Sequence, residues 1–266
     1  MTGILDATRA EWVKQRSLPS TAWLSLGTPI ATIAVSTIML STTHTSATGD
    51  PGASRIDPAR LSLTGTLVGQ AVIVAIAALA IGEEYGTGMI RTTVAAIPRR
   101  SHILAAKALV LAGISAVAGV TAVAGCLVAA RLLLPGAGID PEHGYPPVGI
   151  GDGPTLRAAA GSVLYFVLIG LLALGLTAAV RDTAASIGVV LAVLYLPLLL
   201  IQAVSDPLRR HLEQIAPMTA GMAVQATANP QGQPLGPWAG IGVLTAWAAG
   251  ALLLGGLTLR CTDVKA

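Results

Sequence analysis

The chain has 266 residues, of which 53% are hydrophobic and 11% charged, with a mean hydropathy of +0.73. Soluble domains carry about 25% charged residues, so this composition excludes a soluble globule and points to an integral membrane protein. A formal charge of +3, spread over scattered Lys and Arg, argues against a nucleic-acid surface.

The first twenty residues mix charges and lack an apolar core, so no cleavable signal is expected. Ile4, Leu5, Trp12 and Val13 alternate there with Arg9, Lys14 and Arg16. This segment reads as an amphipathic helix on the inner membrane surface, or as a basic tail that sets orientation. A first span is expected over 21–40.

Gaps between charges place the next spans. Arg60 to Glu83 leaves 22 uncharged residues (61–82). Lys107 to Arg131 (108–130), Arg157 to Arg181 (158–180) and Asp182 to Asp206 (183–205) each leave 23. At a rise of about 1.5 Å per residue such helices are about 33–35 Å long, against a hydrocarbon core of about 30 Å. A last span is expected over 237–259. The apolar runs are continuous rather than alternating, which selects helix over strand. The fold class is therefore an all-α integral membrane protein with six transmembrane helices in one domain, 1–266.

With the N-terminus inside, ten Lys and Arg fall on the inner side and six on the outer. That bias predicts both termini in the cytoplasm. The outer loops would then be 41–60, 135–156 and 206–236, and Leu208 to Thr227 is expected to hold short helices dipping into the interface.

The segment from Glu83 to Arg100, EEYGTGMIRTTVAAIPRR, places two acids and three arginines between two spans, a cluster expected to sit in water. Glu83 and Glu84 are expected to end the second span. Gly86 and Gly88 break the helix and flank Thr87, read as an N-cap. Met89 to Ile97 would form a short helix stopped by Pro98. Ile90, Val94 and Ile97 share one face, and Lys107 opens the third span. The segment is either a docking helix at the membrane boundary or an ordinary solvated loop.

The pattern acid–Tyr–Gly–Thr, Arg–Thr–Thr, Pro–Arg–Arg, then Lys resembles the first cytoplasmic loop of bacterial ABC-type exporter permeases of the second export type. Glu11-Trp12-x-Lys14-x-Arg16-Ser17 is similar to that family's approach to its first span. Pro217-Met218-Thr219-Ala220-Gly221 is similar to the stretch before its last. The resemblance implies a short cytoplasmic coupling helix between helices 2 and 3, fitting a cleft on an ATPase subunit. It assigns Glu83, Glu84, Gly86, Thr87, Arg91, Pro98, Arg99 and Arg100 to ATPase coupling. It also implies a second permease subunit, identical or paralogous, and two ABC ATPase subunits in the bacterial cytoplasmic membrane. The exported molecules in that family are drugs, antibiotics, lipids, polysaccharides or peptides.

The chain carries no P-loop, since none of its three lysines (Lys14, Lys107, Lys265) follows a glycine. ATP and Mg are thus expected on a partner, with no cofactor in this chain. No HExxH or GxSxG is present, so no catalytic site is expected. His44, His102, His143 and His211 are widely spaced outside the spans, and Cys126 and Cys261 lie at different depths, so neither a metal site nor a disulfide is expected. Gln70 and Gln202 lie within apolar stretches, where an amide either touches substrate or bonds neighbouring helices. Tyr165, Phe166 and Tyr195 are candidates for the substrate pathway or for packing. Small residues four apart, such as Ala246/Gly250 and Ala251/Gly255, suggest close helix contact.

The expected function is the permease subunit of an ATP-driven exporter moving an apolar or amphipathic molecule. Two rivals remain: an ion-coupled carrier, which needs ionisable groups inside the membrane, and a non-transporting scaffold or sensor.

Overall fold

The computed structural model describes residues 3–43, 56–89, 100–139, 142, 145–149, 151–201, 203–228 and 234–261. Among them there is no strand. Six helices are long and apolar enough to cross a membrane.

Helix α1, Ile4–Ser17, opens with the backbone amide of Gly3 donating to Asp6 (3.2 Å). It ends at an extended Leu18, and Pro19 starts α2, Pro19–Thr42, the first membrane-length helix. The second differs from its expected bounds. A short helix α3, Pro58–Ser62, is capped by Asp57, and α4 runs Thr66–Gly86. The break between them, residues 63–65, packs on α2. The Gly65 amide donates to Ser36 Oγ (2.9 Å), and a Cβ on Gly65 would lie 1.8 Å from the Thr32 carbonyl oxygen. Only glycine fits there. No charge marks this break, so charge spacing placed the span too early.

Helix α5, Arg100–Leu133, begins well before the expected 108 and carries Lys107 inside it. After the 3-10 turn Pro135–Ala137, α6, Gly153–Val180, starts on an Asp152 cap that accepts from the amide and hydroxyl of Thr155. Helix α7, Thr183–Ile201, ends four residues before the expected 205. The expected short helices before the last span are α8, Asp206–Ile215, and α9, Pro217–Met222, followed by a 3-10 turn at Ala223–Gln225. Helix α10, Pro237–Cys261, closes the bundle.

Helix α6 is the axis of the packing, touching α4, α5, α7 and α10. Its tightest neighbour is α10. A Cβ on Gly175 would sit 2.4 Å from the backbone of Ala251, and one on Gly255 would sit 2.6 Å from the Gly175 carbonyl oxygen. The Ala251/Gly255 pair thus serves packing within this chain, while Gly250 has open space beside it. The core gathers Ile73, Ile81, Phe166, Ile169, Leu172 and Leu244. Outward faces are also apolar: Ile30, Val117, Leu199 and Leu253 are all more than 60% exposed. That is the surface a lipid surround accepts and water does not.

Candidate functional site

The two roots of the 83–107 segment converge on α1. Glu84 lies in the last turn of α4 and Lys107 in the second turn of α5. Both are 2% exposed, and Glu11 of α1 is 7% exposed. Lys107 Nζ donates to Glu84 Oε1 (2.7 Å), to Glu11 Oε2 (3.0 Å) and to the Ala80 carbonyl oxygen (3.0 Å). All three ammonium protons are used. Lys14 of α1, partly exposed, also donates to Glu84 Oε1. Two carboxylates and two ammonium groups balance to zero formal charge, which is what permits such a cluster at low dielectric. Among the described residues, Glu84 Oε2 finds no hydrogen-bond partner.

The orientation of α1 creates this site. Ala7, Glu11 and Gln15 recur every four residues and form the buried face. Gln15 Oε1 accepts from the Thr21 hydroxyl (2.9 Å), fixing the corner into α2. Ile4, Leu5, Trp12 and Val13 face away from the bundle, Leu5 at 80% exposure. The segment was expected as an amphipathic surface helix or a basic tail; it is a helix whose Glu11 and Gln15 turn to the protein, and whose outward face mixes these apolar residues with Asp6, Arg9 and Arg16.

The expectation that the charged segment lies wholly in water is corrected by Glu84, which is buried and ion-paired. Glu84 and Glu83 lie inside α4 rather than beyond its end. Thr87 closes α4: its amide (3.0 Å) and hydroxyl (2.7 Å) both donate to the Glu83 carbonyl oxygen. Gly86 is exposed, and Gly88 takes a positive φ of 74° just after the helix end. Arg91, Pro98, Arg99 and the short helix expected over 89–97 fall largely outside the described residues. Arg100 is seen only as the first residue of α5.

At the same end, Arg181 joins α6 to α7 in a left-handed conformation, φ 67°. Its guanidinium donates to the Thr258 carbonyl oxygen (2.6 Å) and lies 5.8 Å from the centre of the Tyr85 ring. The Asp182 side chain accepts from the Ala185 amide (2.7 Å), as expected of a cap for α7.

The pathway candidates sit nearer the middle. Gln70, Tyr165 and Phe166 are fully buried. The Tyr165 hydroxyl donates to Gln70 Oε1, and Gln70 Nε2 donates to Met218 Sδ (3.3 Å). Tyr165 and Phe166 meet edge to face at 6.3 Å. Tyr195 is half-buried and donates to the Leu67 carbonyl oxygen. Gln202 lies outside the described residues. These groups link α4, α6, α7 and α9 to one another.

Toward the opposite end, Gln225 Nε2 donates to Ser162 Oγ (3.1 Å) and Thr66 Oγ1 (3.3 Å). There Asp57 accepts from the amides of Thr227 and Ala228 and from the Thr227 hydroxyl, and Arg157 donates to the Ala226 carbonyl oxygen.

Sequence reasoning missed Lys14 and Lys107 as partners of Glu84, and Glu11 as a further partner of Lys107. The available signal was Glu11 at four-residue spacing from Ala7 and Gln15. Among the described residues, no three His, Cys, Asp or Glu side chains come together as a metal site would require. No protein-family model matches this chain, and no curated protein matches it.

Proposed function

We propose that the chain is the membrane-spanning permease subunit of an ATP-driven exporter, with hydrolysis in a separate ATPase subunit. Both termini and the 83–107 segment would then face the cytoplasm of a bacterial cell, and the cargo would be an apolar or amphipathic molecule. One observation carries the reading: the four-charge cluster staples both roots of that segment to α1. Force applied to the segment is thereby delivered to α1, α4 and α5 together, as a coupling element requires. The missing P-loop and the loop's likeness to exporter permeases add support. A second copy or a paralogue completes the pathway, and ATP biases a two-state arrangement through differential contact.

The test is isolation of the tagged chain from membranes of its own host, followed by cargo-stimulated ATP hydrolysis. A P-loop ATPase is expected to come with it, and Glu84→Gln is expected to lower stimulation when compared per assembled complex. Isolation with no ATPase, or one seated at the opposite end of the bundle, would overturn the assignment.

A buried Glu84 beside Lys107 also favours a second reading, a proton-coupled carrier, because such carriers hold ionisable groups within their helices. Uptake or efflux by vesicles driven by a pH gradient, without nucleotide, would select it.

A further inference from the structure

The face that α1 turns away from the bundle has a chemistry of its own. Leu5, Trp12 and Val13 are exposed there, interleaved with exposed Arg9 and Arg16. Four-residue steps set Leu5 beside Arg9, Arg9 beside Val13 and Trp12 beside Arg16, so each guanidinium has an apolar neighbour on the helix surface. Neither arginine finds an acidic partner among the described residues. The charge of Lys14, by contrast, is met by Glu84. The exposed acid of the helix, Asp6, lies in the first turn, where it accepts from the Gly3 amide.

Depth decides what surrounds this face. The other side of α1 packs on α5, and Glu11 and Gln15 border Lys107, Val110, Leu111 and Ile114 across a narrow gap. Val110, Leu111 and Ile114 lie inside the uncharged run 108–130 of a membrane-length helix. Helix α1 is therefore level with the first turns of that span rather than beyond it. It passes through Leu18 directly into α2, where Trp23, Leu26 and Ile30 are exposed as well. A helix at that depth meets headgroups and acyl chains together. Tryptophan settles at this boundary, and a long arginine reaches from an apolar bed to a polar layer. Guanidinium and phosphate match in two parallel hydrogen bonds.

We propose that α1 docks on anionic phospholipid: Leu5, Trp12 and Val13 enter the acyl boundary, and Arg9 and Arg16 bind lipid phosphates. A choline headgroup carries its own cation beside the phosphate, so an unpaired arginine pair favours headgroups of net negative charge. Docking needs no motor subunit, so it stands or falls apart from the exporter reading.

The test uses the full chain in phosphatidylcholine vesicles that carry a small, equal fraction of one of two photoreactive lipids. Both bear a diazirine on an acyl chain; one has a phosphatidylglycerol headgroup and the other a phosphatidylcholine headgroup. Labelled residues are mapped by peptide mass spectrometry. Residues 4–16 are expected to take the phosphatidylglycerol reagent about fivefold better, which is about what one arginine contributes at an anionic surface. The preference should shrink as salt rises. Arg9→Gln with Arg16→Gln should bring the two reagents level at 4–16 and leave the labelling of 23–30 unchanged. Arg9→Lys with Arg16→Lys should keep most of the preference. Leu5→Ser with Val13→Ser should lower the labelling of 4–16 by both reagents. The altered side chains are all exposed, so the bundle is left intact, and the labelling of 23–30 reports that it is. Three results would overturn the proposal: equal labelling by the two reagents, a preference that survives the double glutamine variant, or residues 4–16 unlabelled while 23–30 are labelled, as water or a protein covering the helix would give.

Discussion

Lys107 carries the largest single consequence at the residue scale. Its ammonium is the common partner of Glu11, Glu84 and a main-chain carbonyl. Removing one member of a buried ion pair leaves an uncompensated charge, at a cost of about 3–5 kcal/mol. Lys107→Met is therefore expected to lower stability by that order, read by denaturant or thermal unfolding in a bilayer mimetic. Adding Glu11→Gln to it should recover part of the loss, because Glu11 is the carboxylate that Lys107 leaves stranded, while Glu84 keeps Lys14. Additive losses in the double variant would show that the two groups do not interact. Composition and charge spacing flagged Glu84 but placed it in water. The error has a physical source. A charge usually marks a helix end in a membrane protein because burying it is costly, and that inference fails when partners from another helix neutralise it. The partners lie 70 residues away at Lys14 and 23 away at Lys107, a separation no local pattern reveals.

At the scale of elements, four of the six long helices were legible from charge gaps and the first and last from their apolar runs, and their bounds were less so. Lys107 and Arg157 lie inside helices rather than beyond them, and the break at residues 63–65 is set by the Gly65 contact with α2 rather than by any polar signal. Helix α1 shows a second limit. In water a polar stripe faces solvent. Here the bundle supplies Lys107 to Glu11 and Thr21 to Gln15, so these two turn inward. The α6–α10 contact gives a sharp expectation. Gly175→Ala places a methyl 2.4 Å from the Ala251 backbone, and overpacking costs about 1–3 kcal/mol. That outweighs the gain of about 1 kcal/mol that alanine brings over glycine in a helix. Gly250→Ala meets nothing within 4 Å and should be neutral or mildly stabilising. Unfolding of the two variants side by side checks this; equal behaviour would mean that α6 and α10 do not approach as described.

At the scale of the whole molecule, the open matter is which end faces the cell interior. Ten Lys and Arg against six favour the end that holds the four-charge cluster. In a Cys261→Ser background, Thr87→Cys should react with a membrane-impermeant maleimide only after cells are opened. Glu142→Cys, exposed and beyond α5, should react in intact cells. The reverse pattern would invert the molecule and with it the proposed coupling. The corner at Arg181 bears on how such a molecule could move. A left-handed arginine strains the backbone by about 1–2 kcal/mol, and here it is held in place by the Thr258 carbonyl oxygen and the Tyr85 ring. Arg181 thus ties α6, α7 and α10 at one vertex, and under the proposed exporter reading these helices would be held together there and freest at the far rim beside the Gly65 break.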